Sequence, residues 1–144
     1  MQALPHHYTA AATATAEGAP VISSDALPRL TTAPPAAFDG PGDQWSPEHL
    51  LVASVAGCFV LSFRAIARAS RFEWRELNCE AEGVLERIER RTVFTQFVVR
   101  PTLHVPEGAD RAMAQKLLEK AEDTCFVTNS LSAPCRLETE ILAI

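Results

Sequence analysis

The sequence predicts an α+β fold in which helices pack on an antiparallel sheet. The order of the predicted elements is strands, a helix, two strands, a second helix and a final strand. That order is typical of helices on an antiparallel sheet and not of alternating strand–helix units. A length of 144 residues with 47% apolar residues suits one domain with a real core. We expect a single domain over 1–144, divided into an N-terminal β-meander (1–33), a loop (34–46) and a helix-strand-strand-helix-strand core (47–144).

The meander is predicted from short segments separated by turn residues. Tyr8 to Ala16 alternates Thr with Ala at a period of two, which suits a strand, and Val21-Ile22-Ser23 reads as its return strand. Leu27 to Thr32 is expected to form a short third strand. Pro34-Pro35 and Gly40-Pro41-Gly42 then mark a loop of a length that is usually functional or part of an interface. A disordered connector is the alternative.

A long helix is predicted from Pro47 to about Ser70. Ser46 suits the cap, Pro47 the first helical position, and Glu48 the positive end of the helix dipole. From Leu50 to Phe63 the segment is apolar on nearly every side, which predicts a buried central helix. Polar and small residues interrupt this stretch, which is shorter than the ~20 residues that span a bilayer, so no membrane partner is expected.

The rest of the chain predicts a hairpin, a helix and a strand. Leu77, Cys79, Ala81, Gly83 and Leu85 share one face of the first strand, and Val93, Thr95, Phe97, Val99, Leu103 and Val105 share one face of the second. Arg90-Arg91 marks the turn, so the pairing is expected to be antiparallel. A second helix is expected over about Ala109 to Asp123, with an apolar stripe that continues to Cys125. Leu137, Thr139 and Ile141 alternate with glutamates in a final strand.

Composition and charge exclude several classes of function. The net charge of −5 and the absence of a basic run argue against a nucleic-acid partner. No signal peptide is visible from Met1 to Thr9, which favours a cytoplasmic location and argues against structural disulfides of a secreted protein. None of the four cysteines forms a CxxC pair, so no metal and no cofactor are expected.

The four cysteines are the candidate reactive groups. Cys58 lies in the middle of the apolar helix, where a small core residue is the more common role, and its activation would require a cation or donors from another segment. Cys79 and Cys135 fit inward strand positions and are interpreted as structural. Glu48 reads as a partner of the helix dipole. It lies about 15 Å along the helix and roughly 80° around its axis from Cys58, so only a bridging side chain or a second subunit would join the two in one site.

Four segments in this order resemble the OsmC-like family, which includes the organic hydroperoxide resistance proteins. They are Tyr8-Thr-Ala-Ala-Ala-Thr-Ala-Thr, Ser46-Pro-Glu-His-Leu-Leu, Ala53-Ser-Val-Ala-Gly-Cys58-Phe and Ala121-Glu-Asp-Thr-Cys125. The resemblance implies an intertwined homodimer with two active sites built from both chains. It also implies a thiol peroxidase in which Cys58 attacks the peroxide, Cys125 resolves the sulfenic acid as a disulfide, and Glu48 belongs to the site. An organic hydroperoxide as substrate and an external dithiol reductant are implied as partners.

One position departs from the family pattern. The family's peroxidases usually carry an Arg at the turn before the second strand, which pairs with the Glu and activates the thiol. Here that turn reads Glu17-Gly18-Ala19-Pro20-Val21, and the nearest cation is Arg29. The alternative hypothesis is therefore a non-catalytic relative that binds an apolar ligand or partner at the dimer cleft. Hydrolysis through Cys58 has no histidine that the sequence places as its base.

Overall fold

The structure, a computed structural model, describes all residues from Met1 to Ile144. The chain divides into two compact units, Met1–Leu51 and Val52–Ile144. The expectation of a single domain stays a prediction.

The N-terminal unit contains the predicted meander. Its strands are β1 (Ala11–Thr13), β2 (Val21–Ser23) and β3 (Leu30–Thr31), and they pair antiparallel in the order β1-β2-β3. All three predicted strands are confirmed: β2 has the predicted bounds, and β1 and β3 are shorter than predicted. Gly18 has a φ of +93° in the turn between β1 and β2, a conformation that glycine adopts without strain. The predicted loop contains a 3₁₀ helix (Ala36–Phe38), and Thr32 forms a parallel bridge with Trp45.

Helix α1 runs from Pro47 to Ala69, as predicted. The Ser46 hydroxyl accepts a hydrogen bond from the His49 N–H at 3.1 Å, which confirms the predicted cap. Within one chain the helix is buried along a single stripe, at Val55, Phe59, Phe63 and Ala67. By length and composition, α1 is long and apolar enough to cross a membrane. Core helices of soluble proteins meet the same criterion. Much of its apolar surface is open; Leu61, for example, is 62% exposed.

The C-terminal unit is built on a mixed sheet. Strands β4 (Glu76–Ile88) and β5 (Arg91–Val105) form the predicted antiparallel hairpin, with Glu89 and Arg90 in the left-handed region at its turn. The predicted final strand forms as two short strands, β6 (Cys135–Leu137) and β7 (Glu140–Ala143). Both pair parallel to β5, so a purely antiparallel sheet is wrong at this edge. The helical connection after β5 returns the chain in the same direction, which produces parallel pairing.

A β-bulge changes the inward face of the hairpin. The register shifts between Val84 and Leu85, and Thr95 has no direct partner on β4. The bulge reverses the alternation, so that Phe94 stacks on Phe97 with ring centroids 5.2 Å apart. The predicted face that joined Val93 and Thr95 to Phe97 is therefore wrong before this point. Gly83 lies under the Phe94 ring, where an added Cβ would come within 2.9 Å of both Phe94 and Val52.

Two helices complete the C-terminal unit. Helix α2 (Arg111–Asp123) is capped by Asp110, whose side chain accepts a hydrogen bond from the Met113 N–H. Its buried residues are Ala114, Leu117, Leu118 and Ala121, and Cys125 continues this stripe fully buried, as predicted. A four-residue helix, α3 (Phe126–Asn129), follows at once with Cys125 at its N-cap position. No pattern in the sequence predicted α3.

Candidate functional site

Cys58 and Cys125 lie together in the C-terminal unit, as free thiols joined by a hydrogen bond. Cys58 comes from the middle of α1, and Cys125 comes from the junction of α2 and α3. Although 67 positions apart in the sequence, the two sulfurs are direct neighbours. Cys58 is half-buried and Cys125 is fully buried, so Cys58 is the more accessible of the pair.

The surroundings of Cys58 favour its thiolate. Burial opposes ionisation, yet the pKa of the Cys58 thiol lies below its ordinary value because four hydrogen bonds stabilise the charged sulfur. The donors are the Val127 N–H, the Cys125 thiol, the Phe126 N–H and the Ser62 hydroxyl. None of these main influences on the sulfur is a cation. Ionisation is therefore favoured by hydrogen bonds, two of them from backbone amides.

The first turn of α3 supplies those amides. The first N–H groups of a helix have no partner within the helix, so they are free to donate to an anion. Cys125 is in an extended conformation at the N-cap (φ −68°, ψ 115°), and its side chain makes no cap hydrogen bond. Burial, together with the neighbouring Cys58 sulfur, raises the pKa of Cys125. The pair therefore combines one thiol that ionises readily with one that stays protonated as a donor.

Cys79 and Cys135 lie near the pair and are held protonated. Burial raises the pKa of Cys79 to about 12, with a further contribution from the negative charge of Glu122. Burial also raises the pKa of Cys135 to about 12, assisted by its hydrogen bond to the Glu122 carboxylate. At neutral pH neither thiol is a nucleophile. Their predicted structural role fits these values.

Glu48 lies in the N-terminal unit, in the first turn of α1. Its Oε2 atom is buried and has no hydrogen-bond partner, so Arg29 does not pair with that oxygen within one chain. Glu48 lines an apolar cavity of about 440 Å³ with Ile22, Pro35 and Phe38 among its other walls. Arg29 itself is exposed, beside a separate cavity next to Asp25.

No group of three or more His, Cys, Asp or Glu side chains is arranged to hold a metal ion.

Two parts of the candidate site were not predicted from the sequence. The α3 amides left no signal, because any residue type supplies an N–H. Glu122 had a weak one, since it follows Ala121 of the buried stripe and precedes Cys125 by three residues.

Two bacterial proteins illustrate the sequence similarity. The uncharacterized protein YmaD of Bacillus subtilis (strain 168) is 26% identical over 129 residues, which cover 88% of this chain and 81% of that protein. An organic hydroperoxide resistance protein of Xanthomonas axonopodis pv. citri (strain 306) is 32% identical over 126 residues, covering 85% of this chain and 86% of the relative.

A solved structure shares the fold. An OsmC-like protein of unknown function from Vibrio cholerae superposes with a TM-score of 0.84 at 21% identity, covering 94% of this chain and 99% of the other. The model of the OsmC-like protein family matches residues 40–140. This match spans more than half of the sequence and includes both Cys58 and Cys125, and the chain therefore belongs to the OsmC-like protein family.

Proposed function

We propose that this protein is a thiol peroxidase that reduces organic hydroperoxides through a Cys58–Cys125 disulfide cycle. The observation that carries the proposal is the hydrogen-bonded pair, in which the more accessible sulfur is the one that ionises readily. A relative named organic hydroperoxide resistance protein supports the choice of substrate. Glu48 is included as a site residue on the family resemblance alone.

The cycle balances with the groups present and one external dithiol. The Cys58 thiolate attacks the terminal peroxide oxygen, the O–O bond breaks, and the alkoxide leaves as an alcohol after taking a proton. Cys58 becomes a sulfenic acid, which condenses with the Cys125 thiol to a disulfide and water. An external dithiol then reduces the disulfide by two thiol–disulfide exchanges. We predict no further cofactor.

Phe126 supports a preference for organic peroxides. Its ring is 82% exposed, while its N–H donates to Cys58, so apolar surface lies open beside the reactive sulfur. An alkyl group that covers this ring gains burial that hydrogen peroxide does not offer. Phe59, the residue after Cys58, is fully buried in the core and lines no such surface.

The test is consumption of cumene hydroperoxide with a dithiol reductant. We expect Cys58→Ser to abolish turnover, and Cys125→Ser to allow one turnover and then over-oxidation of Cys58. Cys79→Ser is the matched control, since Cys79 stays protonated in our scheme. Undiminished turnover in Cys58→Ser would exclude the mechanism.

We also propose that the active form is a homodimer in which a second copy covers the open apolar surface of α1. Only four residues of this 23-residue helix are buried within one chain. A monomer seldom leaves so large an apolar surface in water. Light scattering is expected to give twice the mass of 15.7 kDa for the wild type, and Leu61→Glu is expected to shift the mass toward the monomer. A monomeric wild type would refute this part.

The alternative is a non-catalytic relative that binds an apolar ligand or partner. Two observations favour it: no cation is among the main influences on the Cys58 sulfur, and the N-terminal unit contains the apolar cavity beside Glu48. Alkylation separates the two functions, because it reports the thiolate. Rapid alkylation of Cys58 well below about pH 8.5 supports the peroxidase, and an ordinary thiol titration supports the binding protein.

A further inference from the structure

The apolar cavity of the N-terminal unit has the size and the lining of a small-molecule site. Its volume of about 440 Å³ lies within the roughly 300–1,000 Å³ that such sites occupy in proteins. Eight of its ten lining residues have hydrocarbon side chains, and four of these are prolines. The cavity therefore offers mostly apolar surface to whatever enters it.

Backbone hydrogen bonds hold the walls of this cavity in place. The Thr32 N–H donates to the Pro20 carbonyl at 2.9 Å. The Phe38 and Gly40 N–H groups both donate to the Pro35 carbonyl, at 2.9 and 3.0 Å. The ring of each proline also fixes one backbone torsion of its wall. Walls that are fixed before binding lose little conformational freedom when a ligand enters, which favours affinity.

Glu48 supplies the polar group of the cavity that lacks a partner. The other polar lining residue, Thr32, donates its hydroxyl to the Pro20 carbonyl at 3.4 Å. The Glu48 Oε2 atom, in contrast, is enclosed by protein without any hydrogen-bond partner, an unfavourable state for an acceptor. The Glu48 side chain as a whole is only half-buried, and rotation about its last bond, which is weakly restrained, exchanges the two oxygens. A donor inside the cavity can therefore reach the carboxylate.

We propose that this cavity binds a small apolar amine, with the hydrocarbon part against the proline walls and the ammonium group on the Glu48 carboxylate. An ammonium group only donates hydrogen bonds and a carboxylate only accepts them, so the two are complementary in charge and in bonding. The Phe38 ring is 53% exposed and gives the hydrocarbon part further apolar surface to cover. The inference is independent of the proposed peroxidase cycle, because every wall lies within Met1–Leu51 and neither thiol takes part.

The test compares three ligands that share one alkyl chain and differ in the head group: octylamine, octanol and octanoate. Calorimetric titration of the reduced protein, without peroxide, measures each affinity. We expect octylamine to bind about tenfold more tightly than octanol, and octanoate to bind more weakly than octanol because its charge repels Glu48. Glu48→Gln should weaken octylamine binding about tenfold and change octanol binding by less than about twofold. Glu17→Gln is the matched control, since Glu17 is exposed in the same unit and does not line the cavity.

A second variant tests the cavity separately from the charge. Ala12 is an exposed residue of β1 that lines the cavity, so Ala12→Phe should occupy part of the space and weaken octylamine and octanol alike. If Glu48→Gln does not fold, this variant and the three ligands decide. Equal affinities for octylamine and octanol would overturn the inference, as would undiminished octylamine binding in Glu48→Gln. Absence of octylamine binding to the wild type would also overturn it, including the case in which a second copy covers the cavity. A failure of peroxide turnover leaves all of these outcomes measurable.

Discussion

Removal of the Ser62 hydroxyl tests whether hydrogen bonds ionise Cys58. The hydroxyl is one of four donors to the sulfur, and Ser62→Ala deletes it with the loss of a single oxygen atom. A hydrogen bond to a charged group contributes about 1.5–3 kcal/mol. Ser62 is half-buried, so solvent screens part of that energy. The contribution expected here is therefore about 0.75–1.5 kcal/mol. At about 1.4 kcal/mol per unit, the expected rise in the pKa of Cys58 is roughly half to one unit.

The assay is the pH dependence of alkylation of the Cys58 peptide, followed by mass spectrometry. Below the titration midpoint the rate follows the thiolate fraction, so the variant should react roughly three- to tenfold more slowly than the wild type at the same pH. Ser70→Ala is the matched control, since Ser70 follows the C-terminal end of α1 and does not act on the sulfur. An unchanged midpoint in Ser62→Ala would refute activation by these donors.

Three further predictions concern stability. Gly83→Ala should lower the free energy of unfolding by about 1–3 kcal/mol, because the added Cβ overlaps Phe94 and Val52; thermal denaturation measures it, and an unchanged melting temperature contradicts it. Asp110→Ala should remove about 1 kcal/mol through the lost cap of α2, whereas Asp110→Asn should retain most of it in urea titrations. Cys79 and Cys135 have raised pKa values, so their contribution is complete below the unfolded pKa of 9.0 and is lost as the pH rises toward about 12. Denaturation from about pH 8 to about pH 10 should show a steeper loss in the wild type than in a Cys79→Ala/Cys135→Ala variant.

Local signals predicted α1 and the hairpin well. Ser46-Pro47-Glu48 determines where the helix begins, because the cap and the proline act on residues next to them in the chain. Alternation predicted both long strands and their antiparallel pairing. Alternation could not predict that Thr95 has no direct partner, because a bulge depends on the partner strand. The parallel pairing of β6 and β7 is likewise decided by where the intervening helices return the chain.

The sequence was less informative about the candidate site. Cys125 was expected to face the core at the end of α2, and it does. The amides of Val127 and Phe126 left no pattern, because their contribution comes from backbone geometry and not from side-chain type. Glu122 has only a weak signal, its position between Ala121 and Cys125, and its effect on Cys135 depends on where β6 lies. Contacts between distant segments decide both cases.

The position of Cys125 at the start of α3 connects the oxidation state of the thiol pair to the hydrogen bonds of the neighbouring backbone. The same short turn contributes a sulfur to any Cys58–Cys125 bond and aims two amides at Cys58. Once that bond forms, Cys58 is neutral, and the amides lose the anion to which they were donating. Reduction restores their acceptor, so the turn favours the dithiol over the disulfide.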